Sequence, residues 1–168
     1  LVTRWAAGLG ERAAVLVGRC AEPGVMLPLQ PVLDALDAHL RDLTGSPAEI
    51  LGADAAVVGP LLASADPLPA HPGASPAAFA NPATGQALLF AALLRVLARA
   101  GGARPVVLVV DDVARADPAT EAWLGFATRR GSRLLVVTTR RGAAAGAGAL
   151  ELGPLDAPAV AELVGAEQ

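Results

Sequence analysis

Five consecutive β-favouring apolar residues, Val106-Val107-Leu108-Val109-Val110, run directly into Asp111-Asp112. An uninterrupted apolar run of strand length suits a strand of a parallel sheet buried on both faces, and the carboxyl ends of such strands are where open α/β sheets bind their ligands. Two acids at that end are placed to hold a divalent cation. The same pattern also describes an apolar strand followed by an acidic turn or helix cap, so the strand alone leaves both readings open.

The flanking segments read as alternating helices and strands. Leu1 to roughly Leu9 has helical spacing that ends at Gly8 or Gly10, and Ala13 to Val17 is a short apolar run of strand length. Gly8-Leu9-Gly10-Glu11-Arg12-Ala13 spells a dinucleotide-binding pattern, but that loop must follow a strand and open a helix, and here the order is reversed. From Gln30 to Leu43, apolar Val32, Leu33, Leu36, Leu40 and Leu43 alternate with Asp34, Asp37, Arg41 and Asp42 at amphipathic-helix spacing, with Pro31 in the first turn. Gly45 to Pro82 is rich in Pro, Gly, Ala and Ser, and a helical turn or two between loops is expected there. Asn81 or Thr84 caps a helix through Gln86 to Arg99 that Gly101-Gly102 ends. Arg95 and Arg99, one turn apart on it, are expected to reach solvent. Asp117-Pro118 opens a further helix through Arg130, with Trp123 and Phe126 on its core face.

Asp111-Asp112-Val113-Ala114-Arg115-Ala116-Asp117-Pro118-Ala119-Thr120 resembles the Walker B segment of the AAA-type ATPase module in the large ATP-binding LuxR-type transcriptional regulators and related signal-transducing (STAND) NTPases. That family usually has Asp-Asp-Leu-His-Trp-Ala-Asp-Pro-Ala-Thr, so Ala114 and Arg115 stand where it prefers His and Trp. Other segments fall in the family's order. Leu1 to Ala13 looks like the helix after the phosphate-binding loop, and Val15 to Glu22 like the second strand with its Gly-Arg-Cys-x-Glu ending. Leu27-Pro28-Leu29-Gln30-Pro31 resembles the opening of the next helix. Leu134 to Arg140 is similar to the fourth strand with its sensor residues, and Leu150 to Leu155 looks like the short strand and turn before a helical lid.

The resemblance implies a three-layer α/β P-loop NTPase-like sheet of order 5-1-4-3-2, with residues 1–152 as the ATPase core and 153–168 as the start of the lid. By the same resemblance Asp111 holds magnesium and Asp112 orients the attacking water. Thr138 and Thr139 contact the nucleotide, and Arg140 either stabilises the terminal phosphate charge or is a solvated charge beside Arg141. The implied cofactors are ATP and Mg²⁺. The implied setting is a multidomain cytoplasmic regulator with DNA bound only through a separate domain and no membrane attachment.

One element of such a site is missing. A phosphate-binding loop needs glycines for close backbone approach and a lysine to reach the β and γ phosphates, and all 13 basic residues here are arginine. The chain is therefore expected to lack the first strand and its loop, and to bind ATP poorly by itself. A partner-binding, catalytically silent module is the alternative expectation. A receiver domain also pairs acids beside strands, but it needs a lysine after a late strand.

Composition narrows the rest. A formal charge of -3 argues against this segment forming a nucleic-acid surface. Cys20 is the single cysteine, so no internal disulfide forms, and a small apolar side chain at a strand end is its expected role. His39 and His71 stand apart from any second metal ligand; His39 falls on a polar helix face. The apolar run Ala87 to Leu94 is far shorter than the roughly 18 residues of a membrane span.

Overall fold

The computed structural model of the protein describes residues 2–20, 28–43, 45–63, 81–142 and 148–165. Its centre is a parallel sheet of β1 (Ala14–Arg19), β2 (Val106–Asp111) and β3 (Leu134–Thr138), in the order β1-β2-β3. Ala14, Val106 and Leu134 lie in register at one end. At the other, Arg19 is opposite Asp111 and Val110 opposite Thr138. β2 has a neighbour on each side, and its five apolar residues are all buried, as a strand covered on both faces requires. β1 runs two residues beyond the expected Val17, because Gly18 and Arg19 still pair with Val110 and Asp111.

The period of two along each strand sorts the side chains into two cores. Ala14, Leu16, Val106, Leu108, Val110, Leu134 and Val136 face the larger one, which contains residues of α2 (Gln30–Arg41), α5 (Pro82–Gly101) and α6 (Pro118–Arg130). On the opposite face Val107 and Val109 pack with Ala6 of α1 (Val2–Ala7) and with Ala13. α1 covers that face incompletely, so Val17 is 40% and Leu135 51% exposed. The result is the expected three-layer α/β sheet of P-loop NTPase-like type, with β1, β2 and β3 in the places the resemblance gives to its second, third and fourth strands.

Local signals in the sequence decide where the helices start and stop. Asn81 Oδ1 accepts hydrogen bonds from the N–H groups of Ala83 and Thr84, and Gly102 ends α5 with φ of 59°. Asp117 caps α6 in the same way. Ser46 caps α3 (Pro47–Leu51), which leads through a 3-10 turn to α4 (Ala55–Val58), the short helical piece expected in the Pro-rich stretch. The loop expected around His71 lies outside the described residues. α2 rests against β1 so closely that a Cβ on Gly18 would meet the Pro31 carbonyl oxygen at 1.9 Å.

Several expectations are corrected. Arg95 and Arg99 do not simply reach solvent: each places an Nη2 2.6 Å from a carboxylate oxygen of Asp54. Asp54 is buried, and a buried carboxylate needs charged donors to remain ionised. Burial pushes its pKa up, but the two guanidiniums outweigh burial and hold it below the usual carboxylate range. His39 is half-buried, and its Nε2 has no hydrogen-bond partner among the described residues, so its side of α2 is not a polar face. The strand expected within Leu150 to Leu155 is absent: residues 149–156 pair with no strand, and Leu150 is 83% exposed. In the implied order it would adjoin a first strand, and no such strand is among the described residues. α7 (Ala157–Gly165) follows, with Asp156 accepting from the Ala159 N–H.

α5 is long and apolar enough to cross a membrane by length and composition. Phe90, Leu93, Val96 and Leu97 are instead buried in the core, and Arg95 and Arg99 are tied to Asp54. One face of α5 is thus packed in the core, while its first turns, Leu88 included, are largely exposed.

Candidate functional site

All the functional candidates from the sequence lie at or just beyond the carboxyl end of the sheet. β2 ends at Asp111, and Asp112 then adopts the left-handed conformation (φ 58°, ψ 49°), turning the chain into a 3-10 turn over Val113–Arg115. Aspartate tolerates that region better than bulky residues do, and here the turn is pinned from both neighbouring strands. The Asp111 carbonyl accepts from the Cys20 N–H at 2.9 Å, just past β1. Past β3, the Thr139 N–H donates to the Val110 carbonyl at 3.1 Å and the Val113 N–H to the Thr139 carbonyl at 2.8 Å.

Thr139 is the organiser of the acid pair. Its hydroxyl accepts from the Asp112 N–H at 2.9 Å and donates to Asp111 Oδ1 at 2.5 Å. Arg19 Nε donates to the other oxygen, Asp111 Oδ2, at 3.0 Å. The Thr139 hydrogen bond lowers the pKa of Asp111, burial works against it, and Arg19 lowers it further, so the net displacement is below the ordinary carboxylate value. Asp111 is therefore ionised at neutral pH. Each of its oxygens retains acceptor capacity beyond the bond it already makes, and its side chain is 38% exposed.

The other candidates are placed differently. Asp112 Oδ2 lies 3.2 Å from Arg115 Nε, an i,i+3 ion pair that turns the second carboxylate toward its own 3-10 turn. Thr138 ends β3 and is exposed; by strand alternation it shares a face with Leu134 and Val136, and its hydroxyl makes no hydrogen bond among the described residues. Arg140 is exposed and forms no ion pair among the described residues. Asp117, read as a cap, is one: Oδ1 accepts from the N–H groups of Ala119 and Thr120, and Oδ2 from the Leu29 N–H and the Thr120 hydroxyl. Cys20 is buried, and burial together with Asp112, Asp117 and Asp111 pushes its thiol pKa up, away from a reactive thiolate.

Two features were missed from the sequence. Arg19 escaped because β1 was expected to stop at Val17, although in a parallel sheet the last residues of adjacent strands come into register. The position of Thr139 was anticipated, but its bonds to both acids were not.

The residues present fit one half of a magnesium–nucleotide site. An ionised, oriented and partly open carboxylate is a suitable partner for a hydrated magnesium ion, which keeps several waters and takes one or two carboxylates. For the phosphate half, residues 1–168 contain no lysine to reach the β and γ phosphates. Among the described residues no group of three or more His, Cys, Asp or Glu side chains is placed to hold a metal unaided.

The three-stranded parallel sheet flanked by helices is an α/β fold of P-loop NTPase-like type. The family profile of the AAA ATPase domain matches residues 1–137, and the chain belongs to that family. No curated protein and no solved structure matches it. Members of this family are in general magnesium-dependent nucleotide-binding modules.

Proposed function

We propose that this chain is part of the ATP-binding switch of a multidomain signal-transduction or transcriptional regulator, and that Asp111 is its metal acid. The observation that carries this reading is the state of Asp111: ionised, oriented by Thr139, and partly open at the end of the central strand. Residues 1–152 would form the core and 153–168 the start of the lid. The phosphate cradle would come from outside these residues.

Asp111 would hold the magnesium ion, which would supply charge neutralisation to the phosphates. Thr139 fixes the Asp111 carboxylate and the Asp112 backbone as a unit, so the acid keeps one orientation. Asp112 serves as the water-orienting group once its carboxylate leaves Arg115, and it is one methylene shorter than a glutamate in that role. Slow turnover, suited to a switch, follows. Thr138 and Arg140, exposed at the end of β3, are free to meet a nucleotide phosphate. Output through other domains, including DNA binding by a separate one, and a cytoplasmic setting belong to this reading.

The absence of any lysine favours a second reading, a catalytically silent module that binds protein partners. The two separate in a protein carrying a Gly-x-x-x-x-Gly-Lys-Ser/Thr loop ahead of α1. There Asp111→Asn should reduce magnesium-dependent hydrolysis at least about tenfold, as loss of a charge-stabilising contact of a few kcal/mol would do. Hydrolysis at the unsubstituted rate would sink the assignment of Asp111, and failure of the loop-bearing protein to bind ATP at all would leave the silent module as the better account.

A further inference from the structure

The described structure contains two very different kinds of aspartate–arginine contact. Asp54 is enclosed, 8% exposed, and gripped by two arginines at 2.6 Å, one of which also bonds the carbonyls of Ile50 and Leu51. That contact is a permanent part of the fold. Arg19 touches Asp111 through Nε alone, at 3.0 Å, and its side chain is 79% exposed. A single exposed ion pair of this kind is worth at most about 1 kcal/mol, so it adds little to stability, yet it sits on the acid of the candidate site.

Its position is set by the sheet. Arg19 and Asp111 are register partners and the last residues of adjacent parallel strands, so their side chains leave the same face a strand spacing apart. Thr139 occupies one oxygen of Asp111 and is neutral; Arg19 occupies the other and is a cation. A divalent cation approaching Oδ2 therefore meets a positive charge that must first move, and exposure of Arg19 allows it to move.

We propose that Arg19 is a guard on Asp111: it caps the carboxylate while no metal is bound and weakens metal binding until it is displaced. The inference rests on the reading of Asp111 as the metal acid. Arg19 is thus a positioning residue that sets metal affinity without taking part in the chemistry, and Thr139 is the fixed partner that keeps Asp111 in place when Arg19 leaves.

The test uses the chain as it stands, with Mn²⁺ as a paramagnetic probe and site-specific broadening of the Asp112 and Thr139 amide signals as the readout. Arg19→Gln should reach half-broadening at about two- to fivefold lower Mn²⁺ than the unsubstituted chain, the range expected for removing one exposed ion pair. Arg19→Lys, which keeps the charge, should titrate close to the unsubstituted chain. Asp111→Asn should abolish the specific broadening in either background. Equal titration of Arg19→Gln and the unsubstituted chain, with broadening still dependent on Asp111, overturns the guard while leaving the metal acid in place. Broadening that survives Asp111→Asn overturns the metal-acid reading and the guard with it. The amide spectra themselves report whether each variant is folded.

Discussion

Gly18→Ala tests the closest approach in the molecule. The added Cβ would lie 1.9 Å from the Pro31 carbonyl oxygen and 2.7 Å from its carbon, where ordinary contact begins at 3.4 Å. Backbone must therefore part from backbone by about 1.5 Å, and neither side is free to yield. Gly18 is paired with Val110 in the sheet, while the first turn of α2 is held through the Leu29 N–H on Asp117. Overpacking of this kind costs about 1–3 kcal/mol, and replacing glycine by alanine recovers only about 0.4–1 kcal/mol from the unfolded chain. Overpacking wins, for a net loss of about 1–2 kcal/mol. The measurement is urea unfolding followed by the fluorescence of Trp123, which is fully buried, in a Trp5→Phe background because Trp5 is 46% exposed. Gly153→Ala, with nothing within 4 Å of its added Cβ, is the matched control. A Gly18→Ala stability within about 0.5 kcal/mol of the parent, the range of ordinary surface substitutions, would show that α2 is not seated as described.

Asp117→Ala removes the cap of α6 and the acceptor for the buried Leu29 N–H together. A lost cap costs about 1 kcal/mol and a stranded buried donor about 1–3 kcal/mol, so a loss of about 2–4 kcal/mol is expected in urea unfolding; a value below 1 kcal/mol would refute the shared role. His39 has its pKa lowered from 6.5, by burial first and by Arg104, against the Ala100 backbone hydrogen bond and Asp42. With the folded value below the unfolded one, its contribution is complete above about pH 6.5 and is lost as pH falls through the folded value. The urea midpoint should therefore drop between pH 7.5 and 5, and His39→Gln should flatten that drop; an unchanged slope would assign it to other groups.

Much of the fold was readable because the signals were local. The apolar run of β2 needed no distant partner to identify it, and Asn81-Pro82 and Asp117-Pro118 carry their caps within three residues. What escaped depended on distance in sequence. Asp54 meets its arginines across 41 and 45 residues, and charge spacing on α5 says nothing about which acid will be brought there. His39 looked exposed because helical periodicity places a residue relative to its own helix, not relative to Ala100 at the end of α5. At the candidate site, the placing of Asp111 and Asp112 at the end of β2 was legible from the apolar run before them. The guanidinium on Asp111 was not, since it follows from inter-strand register and from a strand end set two residues short.

β3 is an edge strand among the described residues, and Leu134-Leu135-Val136-Val137-Thr138 carries no charge and no proline. Such an edge is a template for pairing with another chain. Here the safeguard is electrostatic: Arg133 precedes the strand, and Arg140 and Arg141 follow it. In-register antiparallel pairing of two copies would centre on Val136 and set Arg133 opposite Thr139, one residue from Arg140, and parallel pairing would stack like on like, so both arrangements bring arginines close together. Repulsion between exposed charges reaches about 8 Å at physiological ionic strength and only about 3 Å at 1 M salt. Pairing at the β3 edge is thereby tied to the ionic strength around the chain, and concentrated salt weakens a protection that a covering strand would give unconditionally.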